Sequence, residues 1–185
     1  TAVKPSGTIS QLPTVSSGVH FSHAPYYIRR VRVNAKDPLA QALSDAGFPW
    51  NPEVGQTAEE HRTKVFEFPV KAPEGRTKYD VSAIEQLELY RTLMKNYVDH
   101  NASNTVHVRP EEWMEVEQWV YDHWDEIVGV TFLSLDDSFY QLLPYEAISR
   151  EQYQSLSEKL PKFNPNILRQ YETFEDEFDI LDADC

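Results

Sequence analysis

A short polar segment near the start of the chain has the residue types that bind anions. It consists of Lys4, Pro5, Ser6, Gly7, Thr8, Ile9 and Ser10. Gly7 permits close approach of a ligand to the backbone. The N–H groups of Gly7, Thr8 and Ile9 are expected to point outward at a helix start, where the dipole is positive. The hydroxyls of Ser6 and Thr8 add donors, and Lys4 adds charge.

Two interpretations of this segment remain open at this point. It is either a phosphate-binding loop or a capped helix start with no ligand, since both use the same residue types. It is not a Walker loop, because the spaced glycines and the Gly-Lys-Ser/Thr ending are absent.

Other chemically capable residues give weaker signals. His20 and His23 have a spacing that metal ligands use, but no cysteine or carboxylate cluster accompanies them, so no metal site is predicted. The single cysteine, Cys185, excludes an internal disulfide framework. Asp182 and Asp184 beside it disfavour the thiolate, so this thiol is either inert or needs a partner from outside the sequence.

Composition indicates a folded protein and excludes some functions. Of the 185 residues, 41% are hydrophobic and 12% aromatic, which suits a globular domain. With 17 basic and 30 acidic residues the net charge is −13, which argues against broad nucleic-acid binding. There is no apolar run of about 18 residues, so no membrane span is expected. Residues 1–7 do not resemble a signal peptide, and a cytoplasmic location is the default expectation.

Periodicity and capping residues predict the elements that position these groups. Strands are expected at residues 26–33, 65–70, 106–108 and 128–135, the last of them the best buried. One helix follows Asp37, with Pro38 at its first position and Gly47 just past its end. A second begins at a capping box formed by Ser82 and Glu85. A third follows Pro110, and a fourth is capped around Ser149. One face of the second helix is predicted to consist of Ala83, Leu87, Tyr90, Met94 and Tyr97, and one face of the third of Trp113, Val116, Val120, Trp124 and Ile127.

The order of these elements indicates an α/β fold. The strand–helix–strand unit between Thr105 and Leu135 favours parallel neighbours. Three or four strands are few for a self-sufficient sheet, so the chain is expected to be part of a larger one. The aromatic side chains of the later helices are assigned to core packing rather than to base stacking.

Several separated stretches resemble ribonucleotide reductase large chains. The phosphate-binding segment matches first, and the continuation His23-Ala24-Pro25-Tyr26-Tyr27 is similar to the monomeric, adenosylcobalamin-dependent triphosphate reductases (class II) in particular. The resemblance covers nearly the whole chain in order, through residues 4–10, 16–20, 23–32, 52–56, 97–103, 129–133 and 143–148.

This resemblance implies a fold and a role. The family fold is a ten-stranded α/β barrel with a radical-bearing finger loop inside, and this chain would supply its C-terminal part. Pro5, Ser6, Gly7, Thr8, Ile9 and Ser10 would hold the phosphates of a ribonucleoside triphosphate and so orient the ribose. Residues 1–170 would form the barrel part and residues 171–185 an extended acidic redox tail that ends in Cys185.

The resemblance also implies a cofactor and partners. Adenosylcobalamin would initiate the thiyl-radical chemistry. The partners would be the N-terminal part of the reductase and a thioredoxin-type reductant, with no nucleic acid and no membrane. Reductases that receive their radical from a second subunit have two adjacent tyrosines where this chain has Ser134 and Leu135, which favours the cobalamin type. No glycine follows Gly129, which disfavours the glycyl-radical type. Cys185 matches the first of two tail cysteines, and the second is absent.

Some alternatives stay open on sequence alone. The chain is otherwise part of a two-subunit, metal-dependent ribonucleoside-diphosphate reductase, or a non-catalytic acidic α/β module that binds another protein. Arg29, Arg30 and Arg32 form the only basic cluster. They are either a solvated strand edge or a contact to a nucleotide or corrin. As an incomplete fragment, the chain alone is predicted to be inactive.

Overall fold

The computed structural model describes residues 1–7, 9–135 and 141–171. Within these residues the chain forms four α-helices, six strands and four short 3₁₀ turns. The helices are α1 Pro38–Asp45, α2 Ala83–Asn96, α3 Trp113–Asp122 and α4 Arg150–Lys159, and the strands are β1 Tyr26–Asn34, β2 Trp50–Pro52, β3 Thr63–Lys71, β4 Thr105–Val108, β5 Thr131–Ser134 and β6 Tyr145–Ala147. The 3₁₀ turns are Ile9–Gln11, Pro110–Glu112, Trp124–Glu126 and Pro165–Gln170.

The larger sheet is antiparallel and has the strand order β2-β3-β1-β6. The long strands β1 and β3 pair along their whole length, from Tyr26 opposite Lys71 to Asn34 opposite Thr63. Both were predicted from sequence, whereas the three-residue edge strands β2 and β6 were not. One face of this sheet packs on α1 through a core of Ala40, Leu43, Phe48 and Phe66.

The smaller sheet consists of the parallel pair β4 and β5, in register from Thr105 opposite Thr131 to Val108 opposite Ser134. The predicted parallel strand–helix–strand unit is therefore confirmed. Helices α2 and α3 cover one face, with a core of Ala83, Leu87, Val106, Val108, Val116 and Trp119. Together the two sheets confirm the α/β class, as a mixture of antiparallel and parallel pairing.

Helix starts follow local sequence signals. At α1 the Asp37 carboxylate accepts from the Leu39 N–H at 2.8 Å, and Gly47 has a φ of +84° just past the end. At α4 Ser149 and Gln152 form a complete capping box. At α2 the Ser82 hydroxyl accepts from the Glu85 N–H, but the Glu85 carboxylate pairs with Arg76 instead of completing the box.

Several predictions about burial are wrong, among them those for Tyr97 and Trp113, which are 60% and 41% exposed. Strand β5 is not the best buried, because Leu133 is 55% exposed on the face opposite the helices. Trp124 is also exposed rather than in the core of α3, since the helix ends at Asp122 and Trp124 begins a 3₁₀ turn. Trp119 takes the core position instead and donates its indole N–H to Glu88 at 2.7 Å. No helix in the described ranges is long and apolar enough to cross a membrane.

Candidate anion-binding site

The predicted phosphate segment begins beside the approach to β4. Val3 forms a parallel bridge with Ala102, with hydrogen bonds from the Val3 N–H to Asn101 at 3.2 Å and from the Ser103 N–H to Val3 at 3.0 Å. The chain therefore enters residues 4–10 running in the same direction as β4. The carboxyl ends of parallel strands are where α/β proteins bind ligands.

Internal hydrogen bonds shape the segment into a compact loop. The Gly7 N–H donates to the Pro5 carbonyl at 2.9 Å, so it does not point outward as expected. The Ser10 N–H and hydroxyl both donate to the Ser6 carbonyl, at 3.1 and 2.5 Å, and Ser10 is buried. Ser10 therefore holds the loop together. The predicted helix start is a single 3₁₀ turn, Ile9–Gln11, so little of the expected dipole is available.

Several features of the loop remain available to an anion. Gly7 has no atom within 4 Å of where a Cβ would lie, so its surface is open to close approach. Lys4 and Pro5 are exposed, and the Ser6 side chain is partly exposed. The Ser6 hydroxyl and the Ile9 N–H make no hydrogen bond to another described residue. Thr8 lies outside the described residues.

A second loop, which contains Gly18, packs against the backbone of the first loop at Lys4. Gly18 has a φ of +55°, and a Cβ there would lie 3.0 Å from the Lys4 carbonyl oxygen and 3.5 Å from that of Ser103. Only glycine suits this position, because both the backbone angle and the close approach exclude a side chain. The same loop places His20, whose Nδ1 is 2.7 Å from the Ser17 carbonyl and whose Nε2 is 3.3 Å from the Thr105 hydroxyl at the start of β4.

Two further histidines lie in the same region with their pKa values displaced. Burial lowers the pKa of His23 to about 4, and the nearby side chains of Lys78 and His107 act in the same direction. Burial likewise lowers the pKa of His107 to about 4, with smaller contributions from Lys78 and His20. The described residues contain no group of three or more His, Cys, Asp or Glu side chains able to hold a metal ion. Lys78 and His107 were not singled out from sequence, because they lie far along the chain from His20 and His23.

The structure pairs two of the three clustered arginines with carboxylates of neighbouring segments. Arg30 is buried and bridges Glu67 at 2.7 Å and Glu146 at 2.5 Å. Arg32 pairs with Glu53. Arg29 lies over the Tyr145 ring, 4.3 Å from its centroid. These contacts within the sheet account for the charge of Arg30 and Arg32.

Cys185, the predicted redox residue of the tail, lies outside the described residues.

Known proteins resemble the chain along most of its length. No family model matches it. An adenosylcobalamin-dependent ribonucleoside-triphosphate reductase of Euglena gracilis is 34% identical over 163 residues, which is 86% of this chain and 22% of that protein. A protein of the same name from Levilactobacillus brevis is 32% identical over 165 residues, again 86% of this chain and 22% of the relative.

A solved structure agrees with these relatives. A crystal structure of a B-12 dependent (class II) ribonucleotide reductase superimposes with a TM-score of 0.74 at 28% identity, over 91% of this chain and 24% of that one. The chain thus spans between a fifth and a quarter of the length of the proteins it matches.

Proposed function

We infer that this chain, which belongs to the adenosylcobalamin-dependent ribonucleotide reductase family, is a segment of a reductase that converts ribonucleoside triphosphates to 2′-deoxyribonucleoside triphosphates. The observation that carries this proposal is the agreement of sequence and fold over 86 to 91% of the chain with reductases of that type. Ser134 and Leu135, at the end of β5, stand where a radical-relaying tyrosine pair would be needed for the two-subunit type. These residues favour the cobalamin-dependent assignment over the metal-dependent alternative.

The loop at residues 5–10 is proposed to hold the substrate's phosphates. Its open face at Gly7 and the exposed Lys4 support this role, together with the Ile9 N–H and the Ser6 hydroxyl, which bond to no other residue in the described part of the chain. Thr8 would add a donor, and Ser10 would keep the loop in shape through its bonds to Ser6. Holding the phosphates would fix the ribose in relation to the reacting groups, so the loop would contribute to catalysis by orientation.

The rest of the reaction is assigned to parts of the protein beyond this chain. Replacing the ribose 2′-OH by hydrogen through a thiyl radical requires a cysteine in the active site and thiols that are oxidised there. We propose that these lie in the N-terminal part, which would complete the barrel. Cys185, in the tail at residues 171–185, would be one of two thiols that reduce the active-site disulfide by exchange. A thioredoxin-type protein would then reduce the tail.

Adenosylcobalamin is proposed as the cofactor of the complete reductase, where it would supply the initiating radical. The residues described do not by themselves fit it. The cleft between β2 and β6, lined in part by Glu53, Gln56, Leu142 and Glu146 and about 690 Å³ in volume, is open to solvent, and both of its carboxylates are already paired with arginines. We therefore assign no cofactor contact to this part of the chain.

Titration of the 185-residue chain with a ribonucleoside triphosphate tests the loop. We expect Gly7→Val, which fills the open face, to weaken binding by roughly tenfold or more, because a good charge-assisted contact is worth about 1.5–3 kcal/mol. Ser16→Ala, an exposed change in the next loop, is the matched control and should bind like the parent chain. Calorimetry gives the dissociation constants. Equal affinity of Gly7→Val and the parent chain would remove the loop from the substrate site.

A further inference from the structure

Helix α3 carries apolar side chains on two opposite sides. On one side Val116 and Trp119 are buried in the core that α2 and α3 form on β4. On the other side Met114 and Tyr121, two helical turns apart on one stripe, are 84% and 79% exposed, and Trp124 in the following 3₁₀ turn is 71% exposed. A helix with apolar residues all round is normally buried. The outer face of α3, defined by Met114, Tyr121 and Trp124, therefore has the composition of a surface that another molecule covers.

The surroundings of this outer face are acidic. No Lys or Arg occurs in residues 110–135, whereas seven acidic residues do: Glu111, Glu112, Glu115, Glu117, Asp122, Asp125 and Glu126. Glu112 pairs with Arg109, and Glu126 pairs with Arg91. The other five, the acidic rim, are exposed and form no ion pair with a described residue. The residues outside the described ranges include no Lys or Arg that could pair with them.

The cover that the β4–β5 sheet still needs lies on the other side from this face. Helices α2 and α3 already cover one face of the parallel pair, and Leu133 is exposed on the opposite one. The proposed N-terminal part would add strands beside the pair and a layer on the face of Leu133. Because Met114 and Tyr121 lie on the side of α3 away from the sheet, these additions leave the outer face of α3 exposed.

The acidic rim decides which partner fits the outer face. Two copies of the face would place like charges opposite one another, which disfavours self-association. The phosphates of nucleic acid and of anionic lipids are repelled for the same reason. A partner with an apolar stripe flanked by Lys and Arg matches both parts of the surface, and an amphipathic helix has this combination.

We propose that the outer face of α3 is the docking surface for a cationic amphipathic helix of a separate protein. The apolar stripe of the partner packs on Met114, Tyr121 and Trp124, and its flanking Lys and Arg residues pair with the acidic rim. Tyrosine and tryptophan are the side chains that most often dominate the energy of protein interfaces, and methionine adapts to the shape of its partner. This inference goes beyond the proposed function, since reduction of a nucleotide does not require such a surface.

Titration of the 185-residue chain into a fluorescently labelled Leu/Lys peptide of about 18 residues, with leucines at helical spacing, tests the apolar part. We expect Tyr121→Gln and Met114→Gln each to weaken binding by about tenfold, measured by fluorescence anisotropy. Tyr97→Gln, the same change at an exposed tyrosine at the end of α2, is the control and should bind like the parent chain. No binding of the peptide, or equal affinity of the Tyr121 and Tyr97 variants, would overturn the proposal.

The same titration tests the acidic rim. Glu117→Gln should weaken peptide binding by about threefold, as expected for an exposed ion pair. Glu74→Gln removes the same charge from the exposed loop after β3 and should leave the affinity unchanged. Equal losses in the two variants would show that the peptide responds only to the net charge of the chain, and the assignment to α3 would then fail.

Two further measurements address the other possible occupants. Sedimentation should give the same mass for the parent chain and Tyr121→Gln, whereas a dimer that this change dissociates would make the face a contact between copies and overturn the proposal. When a polypeptide supplies the rest of the reductase, Tyr121→Gln should retain the turnover of the parent. A loss of turnover would show that the reductase itself covers the face, which also contradicts the proposal. Triphosphate binding should be the same in both chains, so failure here leaves the phosphate loop unaffected.

Discussion

Arg30 shows how a side chain that appears suited to an anionic ligand is used inside the fold. Its guanidinium is only 8% exposed and pairs with Glu67 on β3 and Glu146 on β6, and it donates to the Leu143 carbonyl at 3.1 Å. One residue of β1 thereby connects both neighbouring strands. Removing one partner of a buried ion pair leaves the other charges uncompensated, which costs more than the pair itself contributes.

We therefore expect Arg30→Met to lower the free energy of unfolding by about 3 kcal/mol. Glu67 would stay a quarter exposed and Glu146 half exposed, so solvent would limit the loss. Arg62→Met, at an exposed arginine just before β3, should change stability by less than about 0.5 kcal/mol. Urea denaturation of both variants measures the difference. A loss at Arg30 no larger than at Arg62 would contradict the structural role given to the buried guanidinium.

At the scale of elements, predictability from sequence follows how local each signal is. The two ends of α1 need only Asp37 and Pro38 at the start and Gly47 past the end, within ten residues of one another, and both ends were predicted correctly. Strands β2 and β6 have three residues each and no pattern of their own, because they exist through pairing with β3 and β1. Strand β5 was predicted as buried because its residues are apolar, but in this chain nothing described covers Leu133.

The candidate site likewise has a part that could be predicted from sequence and a part that depends on the tertiary fold. The loop at residues 5–10 is a contiguous motif and was identifiable from composition and resemblance. The internal bond of the Gly7 N–H to Pro5 was not, since it depends on the exact path of the turn. Lys78 and His107 join His23 only through the tertiary fold, more than fifty residues away in sequence, and no local pattern marks them.

Gly18 provides a test of how one loop supports another. We expect Gly18→Ala to weaken triphosphate binding and to lower stability by about 1–2 kcal/mol, because a Cβ would press on the Lys4 carbonyl at 3.0 Å and strain the left-handed backbone. Gly55→Ala is the matched control: its φ of +85° brings similar strain, but no atom lies within 4 Å of the new Cβ. Calorimetry and thermal unfolding should show a stability loss in both variants and a binding loss only at Gly18. Equal binding by both would separate the Gly18 loop from the site.

At the scale of the whole molecule, the parallel pair β4 and β5 is the part of the described chain that most needs further strands and a layer that covers its second face. Parallel sheets are normally covered on both faces and contain more than two strands. Here α2 and α3 cover one face, while the other carries Thr105, His107 and the exposed Leu133. The relatives are four to five times longer than the matched segment, which provides the length needed to extend and cover this sheet.

The isolated chain should accordingly lack reductase activity. Thiyl-radical reduction of a ribonucleotide needs a cysteine beside the ribose and a dithiol that becomes oxidised, and this sequence contains a single cysteine, Cys185. With adenosylcobalamin, a dithiol and a ribonucleoside triphosphate, we expect no deoxyribonucleotide above the protein-free background, measured by chromatography of the nucleotides.

Addition of a polypeptide that supplies the remaining length of the relatives should restore turnover. Gly7→Val should reduce this turnover again, whereas Ser16→Ala should not. Turnover by the chain alone would show that the reacting thiol and the phosphate loop lie within these 185 residues, and would refute the division of the active site proposed above.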